Sequence, residues 1–220
     1  MKVLVIGSNG KMGNLMCKTL EKYNISHLGI DINTRNIAVN FKADIIVDFS
    51  LPNALNDNLT LAKQLNCGIV IATTNHSVEN QELIEAHSKN LPVFISPNFS
   101  LQFNTLIELI KHLSPLKNNV FVVAETHHKH KKDAPSGSAK LMLSTLEQMG
   151  ILAHCTAFRV GEIVGEHSLK IYSPSEVLEI KHTALSRQTF CDGALSACRF
   201  LLKQKNGLFT MGDLILNDNM

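Results

Sequence analysis

Residues 1–13, MKVLVIGSNGKMG, decide the fold of the first half of this 220-residue chain. Val3–Ile6 is a short apolar run rich in β-branched residues, which is typical of a buried strand in a parallel sheet. A glycine-rich turn comes next at Gly7–Gly13, and apolar residues at helical spacing continue from Met12 to about Tyr23. This strand–turn–helix order predicts the first βαβ unit of a doubly wound domain.

The same alternation continues to about residue 100. Apolar runs at 27–30, 45–49, 68–72 and 93–95 predict further strands, and 53–65 and 77–90 predict helices, the second capped by Ser77. Strands and helices at this spacing indicate right-handed βαβ units. We therefore expect an α/β fold in which residues 1–100, completed by 190–220, form a Rossmann-like domain with a doubly wound parallel sheet.

Residues 101–189 have a different pattern and predict a second, α+β domain. Helices are expected at 101–113 and 136–149, and strands at 120–125, 156–161, 168–173 and 176–182. The strands succeed one another with turn residues between them, which indicates a mixed or antiparallel sheet. A helix from Asp192 to about Leu202 and a short tail are expected after this domain.

Composition excludes several classes of protein. A net charge of +2 without a long Lys/Arg run argues against nucleic-acid binding. No apolar run is long enough for a membrane span or a signal peptide. The five cysteines are odd in number and form no CxxC pair, so we expect reduced thiols and a cytoplasmic protein.

The turn at Gly7–Gly13 is a candidate dinucleotide site with the spacing G-x-x-G-x-x-G. Glycines there permit a tight turn and close approach of a pyrophosphate, and the helix N-terminus offers free N–H groups. Asp31 comes 18 residues after Gly13, close to the spacing of about 20 expected for the acid that binds an adenosine ribose. The acid favours NADH, whereas Lys11 and Arg35 are near enough to meet the 2′-phosphate of NADPH. The alternative is a strand-end Asp that caps a turn.

Two further loops come directly after predicted strands and are candidates to line a nicotinamide. They are Thr73-Thr74 and Ser96-Pro97-Asn98-Phe99. Ligands of open α/β sheets bind beyond the carboxyl ends of the strands. Taken alone, either loop is more typical of an ordinary turn.

A segment dense in histidine and lysine, HHKHKK, occupies residues 127–132 between Glu125 and Asp133. A solvated basic loop is one interpretation. A metal site is a second, but these histidines lack the i, i+4 pairing of a zinc helix, and we expect no metal. The third is a site for an anion, with His as proton donor and Lys as charge partner.

The residues immediately after this segment favour the anion site. The sequence DAPSGSA at 133–139 leads directly into a predicted helix that Ser136 or Ser138 can cap. Gly137 leaves the backbone N–H groups of the first turn accessible. A helix start of this kind binds carboxylates or phosphates.

Residues 125–139, ETHHKHKKDAPSGSA, resemble the signature of the 4-hydroxy-tetrahydrodipicolinate reductase (dihydrodipicolinate reductase) family. RVGEIVGEH at 159–167, SRQTF at 186–190 with GAL at 193–195, and GLFTM at 207–211 resemble further blocks of that family. With Gly7–Gly13 and Ser96–Asn98, the resemblance spans nearly the whole chain. It departs from the family at Ala72 and Asn75, where glycine is common, and at Ser138, where threonine is common.

The resemblance implies an NAD(P)H-dependent oxidoreductase that reduces 4-hydroxy-tetrahydrodipicolinate to tetrahydrodipicolinate on the diaminopimelate route to lysine. It implies a dicarboxylate substrate and a homotetramer built through the sheet of residues 101–189, the substrate-binding and oligomerisation domain. A nucleotide-binding module without turnover, and a related dehydrogenase that acts on another carboxylate, are the alternatives.

The resemblance also assigns roles to residues. His127 corresponds to the general acid and Lys131 to its cationic partner, while His128, Gly137 and Ser138 correspond to contacts with the substrate carboxylates. The residues expected at the cofactor, including Arg187 and Phe190 from the resemblance, are Gly7, Asn9, Gly10, Lys11, Met12, Gly13, Asp31, Ala72, Thr74, Ser96, Asn98, Phe99, Arg187 and Phe190.

Overall fold

The computed structural model describes residues 1–31, 34 and 38–217, except for the side chain of residue 39. Arg35, a candidate for the 2′-phosphate, lies outside the described residues. The chain divides into two compact units. Unit 1 contains Met1–Phe99 and Phe190–Met220, and unit 2 contains Ser100–Thr189.

Unit 1 is built on a six-stranded sheet in which every pairing is parallel. Its strands are β1 (Lys2–Ile6), β2 (Ser26–Ile30), β3 (Ile45–Asp48), β4 (Gly68–Ile71), β5 (Pro92–Ile95) and β10 (Gly207–Phe209). The spatial order is β10-β5-β4-β3-β1-β2. The connections reverse direction between β1 and β3, the place where an open α/β sheet forms its ligand crevice. The predicted Rossmann-like sheet is therefore confirmed.

The helices of unit 1 lie against this sheet because its central strands are apolar on both faces. They are α1 (Lys11–Lys22), α2 (Ala38–Phe41), α3 (Leu55–Leu65), α4 (Val78–Ser88), α7 (Gln188–Leu201) and α8 (Met211–Asn217). All four residues of β3 and of β4 are buried. Each buried Val, Leu or Ile stabilises the fold by about 1.5–3 kcal/mol relative to an exposed one.

Unit 2 is a four-stranded mixed sheet with two helices, as the second domain was predicted to be. The strands are β6 (Val120–His127), β7 (Ala153–Arg159), β8 (Gly165–Tyr172) and β9 (Val177–Ala184), in the order β7-β6-β8-β9. Only the β6–β7 pairing is parallel. The helices α5 (Leu101–Ile110) and α6 (Gly137–Gln148) share a buried core with the sheet, in which Phe103, Phe121 and Met142 are fully buried.

Several boundaries differ from the sequence predictions: β7, predicted at 156–161, spans Ala153–Arg159, and β8, predicted at 168–173, spans Gly165–Tyr172. β6 continues to His127 rather than ending at Glu125, because its alternation of buried and half-buried residues persists to the end. α7 begins at Gln188 rather than Asp192. The expected short tail contains β10, which gains its hydrogen bonds by adding to the edge of the sheet beside β5, and α8. Within the described residues, none of the helices has the length and apolarity that a bilayer crossing requires.

Candidate active site

The turn after β1 is shaped by two glycines. Gly7 has φ +81°, and a Cβ there would lie 2.7 Å from the carbonyl oxygen of Phe49, after β3. A Cβ at Gly13 would overlap the carbonyl oxygen of Gly7. The turn therefore lies directly against the start of α1 and the end of β3, and any larger side chain at either position requires the backbone to move.

The N-terminus of α1 is arranged to receive an anion. Gly10 is the N-cap residue, and no side chain caps the first turn. Asn9, Gly10 and Lys11 are exposed, and Met12 is half-buried. The backbone N–H groups of Lys11 and Met12 and the positive end of the helix dipole are thus open to a phosphate, whereas the N–H groups of Asn9 and Gly10 already donate to Asp31 and Gly7.

Asp31 is adjacent to this turn, as its position after β2 predicts. Its Oδ2 atom accepts hydrogen bonds from the Ser8 hydroxyl at 2.9 Å and from the Asn9 backbone N–H at 3.0 Å. The carboxylate therefore holds the glycine turn in shape, which agrees with the alternative of a turn-capping Asp. Its role towards a ribose stays a prediction.

The loops after β4 and β5 lie at the same edge of the sheet as the glycine turn. Ser96 and Asn98 form a tight turn in which the Ser96 hydroxyl donates to the Asn98 carbonyl at 2.7 Å. Both side chains and Phe99 are buried, whereas Ala72 is half-buried and Thr74 is exposed. Of these two candidate loops, the loop at 96–99 after β5 is packed in the interior, and the loop at 72–75 after β4 is more accessible to solvent.

Asn75, one of the departures from the family, has φ +63°. This left-handed conformation is free of strain for glycine, and asparagine adopts it more easily than most other residues. Ala72, the other departure in this loop, does not have a positive φ. The replacement of glycine by asparagine at 75 is thus compatible with the same loop conformation.

In unit 2, strand pairing brings several polar side chains to one place. Side chains at alternate positions of a strand share a face, so Glu125 and His127 of β6 point to the same side. Across the sheet, Glu125 pairs with His167 of β8, and His167 pairs with His182 of β9. His127 pairs with Arg159 of β7. These five residues, here called the Glu–His cluster, are the polar end of the buried face.

Glu125 is the centre of the cluster and is 1% exposed. Its Oε1 atom accepts hydrogen bonds from the Ser136 backbone N–H at 2.8 Å and from Nη2 of Arg159 at 2.9 Å. Its Oε2 atom lies 2.8 Å from Nδ1 of His127. Burial alone would raise the pKa of this carboxyl group, but the hydrogen bonds from Ser136 and Arg159 outweigh burial and lower its pKa.

His127 is 7% exposed, and its ring lies 5.1 Å from that of His167 between centroids. Burial lowers the pKa of His127 to about 4, although the charge of Glu125 opposes the shift. Burial, with smaller contributions from His127 and His182, lowers the pKa of His167 to about 3. Both imidazoles are therefore neutral near pH 7, and a proton on His127 needs a further negative charge close by.

The basic side chains of the segment fall into two groups, one mostly buried and one exposed. Lys131 is mostly buried, and its Nζ atom lies 2.8 Å from Oδ1 of Asp133. Lys129 and His130 are exposed and lie 3.7 and 3.9 Å from Glu162. The interpretation as a solvated basic loop thus fits Lys129 and His130, while His127 and Lys131 belong to a structured site.

His128 and Arg187 are brought near each other in unit 2. The pKa of His128 is lowered, first by partial desolvation and then by the charge of Arg187. Arg187 is exposed and directly precedes α7. Arg187, expected at the cofactor, thus carries its charge near His128. Phe190 is half-buried in the first turns of α7.

The start of α6 is the second part of the candidate anion site. Ser136, not Ser138, is the N-cap, and its Oγ accepts from the Ala139 N–H at 3.2 Å. Gly137 and Ser138 therefore occupy the first turn, at the positive end of the helix dipole. Because Ser136 also donates its N–H to Glu125, this turn is joined to His127 through one carboxylate.

Glu125, His127 and His167 can each offer a ligand atom, and these atoms lie within 4.8 Å of one another. A cation here would meet the guanidinium of Arg159, which already lies 2.9 Å from Glu125. Like charge at that distance opposes metal binding. The absence of a metal from the site remains a prediction.

Sequence reasoning did not single out Arg159, His167 or His182 as parts of the site. The alternation along β6 is a local signal that could have placed Glu125 beside His127. Nothing local could have placed the other three, because they reach the cluster through the pairing of strands that are distant in sequence.

Comparison with known proteins identifies the family. Residues 20–99 match the family model "Dihydrodipicolinate reductase, N-terminus", and residues 100–215 match "Dihydrodipicolinate reductase, C-terminus". A 4-hydroxy-tetrahydrodipicolinate reductase of Alkaliphilus oremlandii (strain OhILAs) is 36% identical, with 98% of each chain covered. The enzyme of the same name from Clostridium novyi (strain NT) is 34% identical, with 99% of each covered.

Solved structures agree on the fold. A dihydrodipicolinate reductase from Paenisporosarcina sp. TG-14 superposes with a TM-score of 0.77 at 19% identity, covering 96% of this chain and 97% of that one. A probable dehydrogenase from Thermotoga maritima gives 0.62 at 8% identity, covering 98% and 93%. The matched models span both units, and the curated relatives exceed 30% identity over nearly their full length, so the chain belongs to the 4-hydroxy-tetrahydrodipicolinate (dihydrodipicolinate) reductase family.

Proposed function

We propose that the two units divide the work of this family's reaction, with unit 1 as the dinucleotide-binding domain and unit 2 as the substrate-binding domain. The reaction is the NAD(P)H-dependent reduction of 4-hydroxy-tetrahydrodipicolinate to tetrahydrodipicolinate in the diaminopimelate route to lysine. One hydride and one proton enter the substrate, and one water leaves it. The chain is thus an NAD(P)H-dependent oxidoreductase.

The glycine turn of unit 1 fits a dinucleotide. Gly7 and Gly13 let the turn pack directly against the end of β3 and the start of α1, where a Cβ would collide with backbone atoms, and the first turn of α1 has no side-chain cap. Gly10, Lys11 and Met12 would hold the pyrophosphate, and Asp31 would meet the adenosine ribose. Asn9, Ala72, Thr74, Ser96, Asn98, Phe99, Arg187 and Phe190 complete the proposed cofactor set. When bound, NAD(P)H supplies the hydride.

Unit 2 fits a small dicarboxylate. The N–H groups of Gly137 and Ser138, with the Ser138 hydroxyl, would bind one carboxylate. His128 and Lys131 would contribute donors and positive charge to the substrate. The relative from Paenisporosarcina sp. TG-14 is described as bound to dipicolinate, a planar dicarboxylate, which supports this substrate class.

His127 would deliver the proton. It is neutral in the structure because burial lowers its pKa to about 4. A dicarboxylate bound beside it raises that pKa, because nearby negative charge favours the imidazolium form. The ring would then hold a proton only when substrate is present and pass it to the substrate as hydride arrives, and Lys131 would offset the charge of the reacting complex.

The observation that carries this proposal is the connection from His127 through Glu125 to Ser136 and the first turn of α6, which supports proton transfer by His127 next to the proposed anion site. The test is the decrease of absorbance of NADH or of NADPH with the product of dihydrodipicolinate synthase as substrate. Turnover with either cofactor is expected. Nucleotide binding without turnover would favour a binding module, and turnover of another carboxylate alone would favour a related dehydrogenase.

The outer face of the unit 2 sheet supports a homotetramer. α5 and α6 share the core on one face, whereas His154, Thr156 and Phe158 of β7 are exposed and alternate with the residues of that face. Val120, Tyr172 and Val177 add further exposed apolar area on neighbouring strands. Exposed apolar residues between the surface ion pairs Lys170–Glu179 and Lys181–Glu166 of this face support an oligomer interface. Sedimentation equilibrium is expected to give four chains, and Phe158→Asp is expected to give smaller species; Leu216→Asp, at an exposed position of α8, serves as control.

A cytoplasmic location completes the proposal. All five cysteines are free in the structure, and burial raises the pKa of Cys67, Cys191 and Cys198 to about 12. Reduced thiols are typical of a reducing compartment. Fractionation of the source cell with a tagged chain tests it.

A further inference from the structure

The carboxylate of Glu125 has a separate partner on each oxygen. Oε1 is occupied by the Ser136 N–H and by Arg159, and Oε2 faces Nδ1 of His127 at 2.8 Å. Both Oε2 and Nδ1 are buried and have no other partner among the described residues, although their contact has ion-pair distance without ideal hydrogen-bond direction. Because a buried polar atom without a partner is costly, each of these two atoms depends on the other.

The identity of the partner decides where the proton of the neutral ring lies. An ionised carboxylate only accepts hydrogen bonds, so Nδ1 of His127 must carry the hydrogen. Nε2 is then the unprotonated nitrogen, which can take up and deliver the catalytic proton. Nε2 is the ring atom that faces Gly165. A Cβ at position 165 would lie 3.1 Å from this nitrogen.

Arg159 extends this arrangement to the second proposed catalytic residue. Its Nη2 atom donates both to Glu125 and to the backbone carbonyl of Asp133. The side chain of Asp133 in turn pairs with Lys131. The guanidinium therefore keeps the buried carboxylate ionised and also holds the strand end and the loop of Lys131 in one arrangement.

We propose that Glu125, supported by Arg159, is a positioning residue that sets the Nδ1–H tautomer of His127 and fixes the ring relative to the first turn of α6. This inference rests on the proposed function for the role of His127 as proton donor. The tautomer and the orientation are properties of the free protein, so they are measurable without turnover.

The first test is ¹⁵N NMR of the full chain labelled on histidine ring nitrogens, with the His127 signals assigned by their absence from His127→Gln. Nδ1 is expected to be protonated in the wild type. In Glu125→Gln the amide keeps an oxygen for Ser136 and Arg159 but presents an N–H to His127, so the proton is expected to move to Nε2. A wild-type ring protonated at Nε2 overturns the inference.

The second test separates kcat from KM. Glu125→Gln is expected to lower kcat by about 100-fold or more, as loss of correctly placed acid–base catalysis does, with little change in the KM of the dicarboxylate. Glu162→Gln, which removes an exposed carboxylate near Lys129 and His130, is the matched control and is expected to keep wild-type kinetics. An unchanged kcat in Glu125→Gln overturns the inference.

A second variant covers the case in which Glu125→Gln does not fold. Arg159→Lys keeps the positive charge but loses the guanidinium that joins Glu125 to Asp133, and a fall in kcat of about 10-fold at constant KM is expected. Full activity of Arg159→Lys contradicts the supporting role. If the wild type itself does not oxidise NAD(P)H, the proposed function fails, whereas the NMR result on the same protein still tests the tautomer.

Discussion

Gly165 lies directly beside the ring of His127: a Cβ at position 165 would be 3.1 Å from Nε2 and 3.4 Å from Cδ2. The glycine begins β8 and is buried, without a positive φ that would demand it. Its small size therefore matters for the space that it leaves beside Nε2 of His127.

Gly165→Ala is expected to push the His127 ring by a few tenths of an ångström and to lower kcat by about 10-fold or more, since misplacement of this order impairs catalysis. Stability should change by less than about 1.5 kcal/mol, because alanine is tolerated in a strand. Steady-state kinetics and urea unfolding measure the two effects. Lys170→Ala, on the outer face of the same strand, should leave kcat unchanged; equal loss in both variants contradicts the explanation.

His127→Gln is expected to lower kcat by about 100-fold or more while KM changes far less, because glutamine retains hydrogen bonding but cannot transfer a proton near neutral pH. Initial rates at varied dicarboxylate concentration measure both constants. His130→Gln is the control, since His130 is exposed in the same segment. Wild-type activity of His127→Gln would show that another group supplies the proton.

Stability is expected to fall as the pH is lowered below about 6.5. Burial lowers the pKa of His167 from 6.5 to about 3 and that of His127 to about 4. Between those values and 6.5 the unfolded chain binds protons that the folded chain does not, so stability rises with pH across this window and is complete above it. Each group contributes at most about 1.4 kcal/mol per pH unit.

Urea unfolding between pH 7 and 4 measures this dependence. In His167→Gln the slope of unfolding free energy against pH should be reduced, whatever the absolute stability of the variant. His112→Gln, which removes an exposed histidine, should keep the wild-type slope. A slope that His167→Gln leaves unchanged would mean that other groups cause the acid sensitivity.

Asp31→Asn is expected to shift the enzyme from NADH towards NADPH. Asparagine keeps a side-chain oxygen for Ser8 and Asn9 but removes the negative charge that would repel a 2′-phosphate. The ratio of kcat/KM for NADH to that for NADPH should fall by about 10-fold. Asp57→Asn, in the first turn of α3, is the control; a constant ratio in Asp31→Asn would leave the carboxylate with its loop-holding role alone.

Much of unit 1 was predictable because its signals are local. Consecutive residues predict a buried strand, the turn Gly7–Gly13 and an amphipathic helix. Ser77 caps α4 as expected. The edge strand β10 was not predictable. Its three residues gain strand structure from pairing with Pro92–Phe94 at the sheet edge, a contact that no local pattern contains.

For the chemistry, the sequence by itself determined the residue types of the His/Lys segment, the family and the dinucleotide turn. Only the tertiary structure decided which of these residues act together. In the structure His127 is buried at the end of β6, and Lys131 forms an ion pair with Asp133, whereas His130 is exposed. Arg159 and His167 lie beside this group because their strands pair with β6. The reason is that burial, pKa and ion pairing depend on neighbours in space, and strand register sets those neighbours across more than 30 residues of sequence, as from His127 to Arg159.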